Sequence, residues 1–146
     1  MAELFSPPRL TSACERYGCT GVANWDIKLG KDHDLTKSEN QAKVMKELRE
    51  LSPDVLSITV PCDQFSSLQN MNSVLASVRK RRRKWRDAVK LLQFGLDCAN
   101  YQVHVLKGPV IWEHPSSASS WSRRDVKRMF QACPQFLSSL LRWFDS

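Results

Sequence analysis

Residues 54–66 read "DVLSITVPCDQFS". The first seven form an apolar run held between Pro53 and Pro61, too short for a typical helix. They predict a buried strand that is apolar on both faces, the pattern of a central strand in a parallel sheet. At its carboxyl end stands "PCDQFS", and a long helical pattern follows. A cysteine in that place is either a small core residue or a nucleophile. The flanking sequence bears on which.

On the amino-terminal side, "AELF" (2–5) is a short apolar run, and "SPP" (6–8) makes the chain turn. A double proline continues neither a helix nor a central strand. "LTSACERYG" (10–18) predicts a short helix stopped by Gly18. "TGVANWD" (20–26) is a strand ending on Asp26, and "IKLGKDHDL" (27–35) a polar loop. "TKSENQAKVMKELRELSP" (36–53) is the clearest helix in the chain. Thr36 and Glu39 form a capping box there, Val44, Met45, Leu48 and Leu51 make one apolar stripe, and Pro53 ends it.

On the other side, Leu75, Val78, Trp85, Val89, Leu92 and Leu96 fall on one stripe of a long helix, interrupted by Arg82. Its basic residues take the rest of the surface, so one helix both packs and presents charge. "GPVIWEHP" (108–115) is a strand, "SSASSWS" (116–122) a loop and "RRDVKRMFQAC" (123–133) a helix. The tail "QFLSSLLRWFDS" (135–146) is compatible with helix or strand.

Strand and helix therefore alternate four times. That order implies a Rossmann-like three-layer α/β/α domain with a mainly parallel sheet of about four to five strands. The expectation is one domain over 1–146, with motifs over residues 3–115 and a helical part over 116–146. In such sheets ligands bind at the carboxyl ends of the strands. The four strands end at "SPPR", Asp26, "PCDQFS" and "EHP", so the fold would gather these stretches on one rim.

The 146 residues are 42% hydrophobic and 25% charged, an ordinary globular composition. No apolar run approaches the ~18 residues a membrane helix needs, so no membrane partner is expected. The start "MAELFSPPRL" lacks a signal-peptide pattern, which makes an intracellular location the expectation. The five cysteines form no CxxC pair, so neither a disulfide framework nor a metal site is expected. The net charge of +7 is local: "RKRRRKWRDAVK", residues 79–90, carries eight basic residues and one acid, and the remainder balances. Such a stripe points to a polyanion, nucleic acid before all, with Arg79, Arg81, Arg82, Arg83, Lys84 and Arg86 as its contacts. A solvated helix face or a nuclear-import signal is the plainer account.

With the strand-end residues assembled, the chain resembles the DNA (cytosine-5) methyltransferases. "ELFSPPRLTSACERYG" looks like that family's first strand, turn and helix, "NWD" like its second-strand acid, and "HDL" like its next acidic motif. "PCDQFS" resembles the catalytic Pro-Cys-Gln-x-Phe-Ser loop, and "IWEHP" the later strand ending in Glu-Asn-Val. The motifs stand in family order. More loosely, they also resemble methyltransferase-like segments of mobile-element polyproteins.

The resemblance implies a transferase that uses S-adenosylmethionine. Cys62 would add to cytosine C6 and so make C5 nucleophilic, with Glu113 at N3. Phe5, Ser6, Asp26, Asp34 and Pro61 would contact the cofactor. Ser66 and the basic helix would contact nucleic acid, DNA in first place. The target base would have to leave the duplex. Nothing in the chain has the length of a target-recognition domain, which leaves that task to a partner or a further domain. The alternative is an inactive nucleic-acid-binding module that keeps the fold.

Overall fold

The computed structural model describes residues 1–66 and 77–132. Four strands, β1 (Ala2–Leu4), β2 (Ala23–Trp25), β3 (Leu56–Thr59) and β4 (Val110–Glu113), form one sheet in the order β2-β1-β3-β4. All three pairings are parallel, with Leu4 opposite Trp25 and Ile58, Ile58 opposite Trp112, and Thr59 opposite Glu113. The helices are α1 (Leu10–Cys14), α2 (Ser38–Leu51), α3 (Val78–His104) and α4 (Arg124–Ala132). The Rossmann-like α/β class expected from alternation is the class observed. Leu75, Cys133, the tail 135–146 and residues 67–72 after "PCDQFS" lie outside the described residues. Among the described residues, no helix is long and apolar enough to cross a membrane.

Side chains alternate across each strand. One face carries Ala2, Leu4, Leu56, Ile58, Val110 and Trp112, all buried. Gly95 of α3 packs closely on this face: a Cβ there would come within 3.3 Å of Val60 and the Phe5 ring and 3.4 Å of Ile58. Phe130 of α4 meets Trp112 edge-on on the same side, with centroids 5.9 Å apart. The α2 helix joins that layer, Arg49 lying 5.7 Å over the Tyr101 ring of α3.

The second face of β3 is not apolar as expected. It carries Ser57, buried with no partner for its hydroxyl among the described residues, and Thr59. Among the described residues, the short α1 covers this side by way of Glu3, and Ile111 of β4 is exposed.

The α1 helix runs on into a 3-10 turn, Glu15–Tyr17, and ends at Gly18 with φ 75°, as its sequence predicted. The capping box of α2 does not form. Lys37 is the N-cap and makes no side-chain bond, because the Thr36 hydroxyl is drawn to Asp34 Oδ1 at 2.6 Å instead. The buried side of α2 is Asn40, Val44 and Leu48, with Met45 half-buried, while Leu51 is exposed. The buried line thus begins one turn earlier than expected, at Asn40, whose amide donates to the carbonyls of Lys31 and Asp34 at 3.2 and 3.1 Å. A turn of 3-10 helix also interrupts each expected loop, at Ile27–Leu29, Lys31–His33 and Ser119–Ser122.

Candidate functional site

The chain leaves β1 for β2 on one side and reaches β3 on the other. The carboxyl ends of β1 and β3 therefore flank the topological switch point, where open α/β sheets place ligands. At the end of β1, Phe5 takes φ 61°, an uncommon conformation for a bulky residue. Its amide still bonds Trp25 O at 2.8 Å, but its ring turns under α3 against Gly95.

Ser6 is buried at the rim. Its hydroxyl donates to Pro7 O at 2.9 Å and accepts from Arg9 Nε at 3.1 Å. Arg9 Nη2 lies 3.7 Å from Glu113 Oε2, and the Thr59 hydroxyl donates to that oxygen at 3.1 Å. Ser6 and Glu113 are thus brought together through Arg9 and Thr59, which sequence reasoning did not single out. Both members of the ion pair are about half exposed, so the pair itself adds at most ~1 kcal/mol.

Beneath this turn lies Glu3, the most deeply engaged carboxylate described. Its Oε2 accepts from the amides of Arg9 and Thr11, at 3.0 and 2.7 Å. The Thr11 hydroxyl is 2.7 Å from both Glu3 Oε2 and Asn24 Oδ1 and has one proton to share between them. Burial alone would raise the Glu3 pKa, but the bonds from Thr11 and the amide of Arg9 outweigh it and hold the pKa below the ordinary carboxylate value. The first turn of α1 is therefore satisfied from within the protein. The signal was present in "AELF", where an acid interrupts an apolar strand.

After β3, Pro61 is exposed and Cys62 is a half-buried free thiol. The Cys62 carbonyl accepts from the amides of Phe65 and Ser66, at 2.9 and 3.0 Å, which closes a tight turn. Phe65 anchors the turn. Its ring is buried, edge-on to Trp85 at 5.4 Å and to His114 at 5.8 Å, and its carbonyl accepts from the Ser119 amide at 2.9 Å. His114 in turn meets Trp121 edge-on at 5.8 Å. Burial pushes the His114 pKa below the usual value, against a weaker opposite pull from the Val60 backbone. Among the described residues, neither of its ring nitrogens makes a hydrogen bond of good geometry. Cys98 is a core residue, its thiol pKa pushed up chiefly by burial.

The two candidate cofactor acids are held by their own loop. Asp26 follows β2 on the rim, and its Oδ1 accepts from the Lys28 amide at 2.8 Å, capping a 3-10 turn. Asp34 Oδ1 accepts from the Thr36 hydroxyl at 2.6 Å and the Thr36 amide at 3.2 Å. The Thr36 hydroxyl does most to hold the Asp34 pKa below its usual value, with help from the Thr36 amide and the charges of Lys37 and Lys90. Asp34 lies beyond edge strand β2, in a depression of about 550 Å³ lined also by Ile27, Gly30, Lys31 and Lys37. Cys62 and Glu113 are not part of that lining.

The basic residues occupy a different place from the one expected. The buried line of α3 runs through Ala88, Leu92, Gly95, Ala99 and Gln102, not along a stripe through Val78 and Trp85. Val78 is 55% exposed and Trp85 45% exposed, and no residue of α3 before Ala88 is buried. Gln102 Nε2 bonds Pro53 O at 2.7 Å, before β3 begins, while Gly95 already lies over Val60, beyond its end. Those seven residues cross the whole sheet, at ~1.5 Å per residue. The helix before them extends past the carboxyl rim, and Val78–Asp87 forms an arm about 15 Å long.

Packing and charge are thus separated along the helix rather than around it. Arg79, Lys80, Arg81, Arg82, Arg83, Lys84 and Arg86 are all exposed, and none forms an ion pair among the described residues. Ser77, Val78 and five of these residues line a depression of about 780 Å³. The eighth basic residue, Lys90, is structural: Nζ donates to Thr36 O and to Ser38 Oγ and ties α3 to the start of α2.

No protein-family model, no curated protein and no solved structure matches the chain.

Proposed function

We propose that the chain is a nucleic-acid-binding module in which an α/β body holds out a basic helical arm. The observation that carries this reading is the arm itself: seven exposed basic side chains, unpaired among the described residues, beyond the edge of the core. Like charges three and four residues apart repel along a helix, so the arm carries an internal strain that a polyanion relieves. A merely solvated face would ordinarily interleave acids, as α2 does with Lys46 and Glu50, 3.7 Å apart.

The test is fluorescence anisotropy with a labelled duplex across a salt series. Binding is expected to weaken steeply with salt, roughly 10³-fold between about 50 and 200 mM if six phosphates are engaged. Replacing Arg81, Arg82, Arg83 and Lys84 by Gln is expected to weaken binding at least about tenfold and flatten the salt slope. Parent-like affinity in that variant would overturn the reading.

Methyl transfer to cytosine is the second reading. The gathering of Ser6, Asp26, Cys62 and Glu113 at strand ends, on the rim from which the arm extends, supports it. The first turn supports it less. Ser6, Pro7 and Pro8 stand where the methyltransferases carry glycines, and proline offers no backbone donor. Glu3 fills the start of α1, the Phe5 ring is turned under α3, and Asp26 and Asp34 are engaged by their own loop. These residues fit S-adenosylmethionine poorly. Calorimetric binding of the cofactor by folded protein, with an adduct to 5-fluorocytosine DNA that Cys62→Ser abolishes, would establish this reading; no cofactor binding would exclude it.

A further inference from the structure

We propose that the arm Val78–Asp87 lies in the major groove of duplex DNA, with phosphates of both strands meeting opposite sides of the helix. This rests on the nucleic-acid reading above. The observation that carries it is how the charge is spread around the arm.

Successive residues turn by about 100° around a helix. Arg79, Arg83 and Arg86 therefore share one side, and Arg81 and Lys84 lie roughly opposite. Lys80 and Arg82 occupy the flanks between them. Arg81 and Lys84 continue, beyond the rim, the side of α3 that is buried further along through Ala88, Leu92 and Gly95. Where the core ends, basic residues replace apolar ones on that side. The arm is thus cationic nearly all round: a narrow strip holds Val78 and Trp85, and the single acid, Asp87, stands at the root between the lines of Arg83 and Lys80.

Each class of polyanion makes a different demand. A helix that lies in a membrane interface buries a broad apolar face opposite the basic one; this strip is too narrow for that, and a flat anionic surface would engage only one side of the arm's charge. A single strand requires phosphates along one side and free aromatic faces for its bases. Trp85, the one aromatic residue of the arm, is engaged edge-on by Phe65 at 5.4 Å. A duplex major groove admits an α-helix and is bounded by a phosphate row on each side. It is the ligand that uses charge on opposite sides at once. An arm of about 15 Å spans four base pairs or so, at roughly 3.4 Å per pair.

The test uses the full chain at about 150 mM salt. Its probes are a labelled duplex of about 20 base pairs, the corresponding single strand, and phosphatidylcholine vesicles containing phosphatidylserine. The duplex is expected to bind at least about tenfold more tightly than the single strand, with little binding to vesicles. Two double variants, Arg79→Gln with Arg83→Gln and Arg81→Gln with Lys84→Gln, are each expected to weaken duplex binding, by similar factors of roughly five or more. Methyl green, a major-groove ligand, is expected to displace the protein, and the minor-groove ligand netropsin is not. Circular dichroism confirms that both variants fold. Loss confined to one double variant, equal affinity for the single strand, tighter binding to vesicles, or displacement by netropsin alone would overturn the proposal while leaving nucleic-acid binding or anion binding standing. Absence of binding to either nucleic acid would overturn the reading on which it rests as well.

Discussion

Glu3 shows how much one side chain decides at the residue scale. It stands inside a buried strand, yet its carboxylate is charged and stabilised by two amides and a shared hydroxyl. Glu3→Gln keeps the shape but exchanges a charge-assisted acceptor for a neutral amide whose NH₂ faces donors. The expected cost is about 1–3 kcal/mol in urea unfolding at neutral pH. The pH dependence has a definite sign. A carboxyl held below its ordinary value of 4.5 contributes fully above that pH, and the contribution is lost as pH falls through the folded value. The gap between parent and Glu3→Gln is therefore expected to narrow below about pH 4.5. A gap independent of pH would show that the charge of Glu3 is not what stabilises the turn. Sequence marked this position as an acid in an apolar run; it did not say which amides the acid would meet.

Among the elements, the long helix α3 belongs both to the core and to the arm. Its apolar stripe was legible in part, since Leu92 and Leu96 are buried. Its centre was not, because Ala88, Gly95 and Ala99 are small and register weakly as hydrophobic periodicity. They are small because the helix lies close on the sheet. Gly95→Val places two methyl groups where Phe5, Val60 and Ile58 already stand near 3.3–3.4 Å of a single Cβ. Overpacking of this kind is expected to cost about 1–3 kcal/mol, more than the gain from removing a helical glycine. Thermal unfolding measures it, and an unchanged midpoint would mean that the helix can lift from the sheet without penalty. Val78 and Trp85, read as core, are exposed for a different reason: at that point the helix has already outrun the sheet.

At the scale of the whole molecule, a chain of edge-on and tilted ring contacts links Trp85, Phe65, His114, Trp121, Phe130 and Trp112. It joins the root of the arm to the cysteine turn, the end of β4 and α4. His114 is its titratable member. Its pKa in the folded protein is lowered from 6.5, so the unfolded chain takes up that proton first as pH falls. Stability is expected to be full above about pH 6.5 and to decline as pH drops through the window below it. His114→Phe, which keeps an aromatic ring in place, is expected to remove that share of the decline in urea midpoints between neutral and mildly acid pH. An identical decline in both proteins would assign it to other groups.

Sequence alone determined the class of the fold and the position of the charge. Alternating strand and helix patterns are local properties of consecutive residues, and eight basic residues in twelve need no partner to be seen. The tertiary structure decided which side chains meet. Thr59 with Glu113, and Lys90 with Thr36, are pairs 54 residues apart whose contact depends on how sheet and helices pack. It also decided that the charge extends beyond the core, because where a helix outruns its sheet is set by the short strands beneath it and not by the helix's own residues.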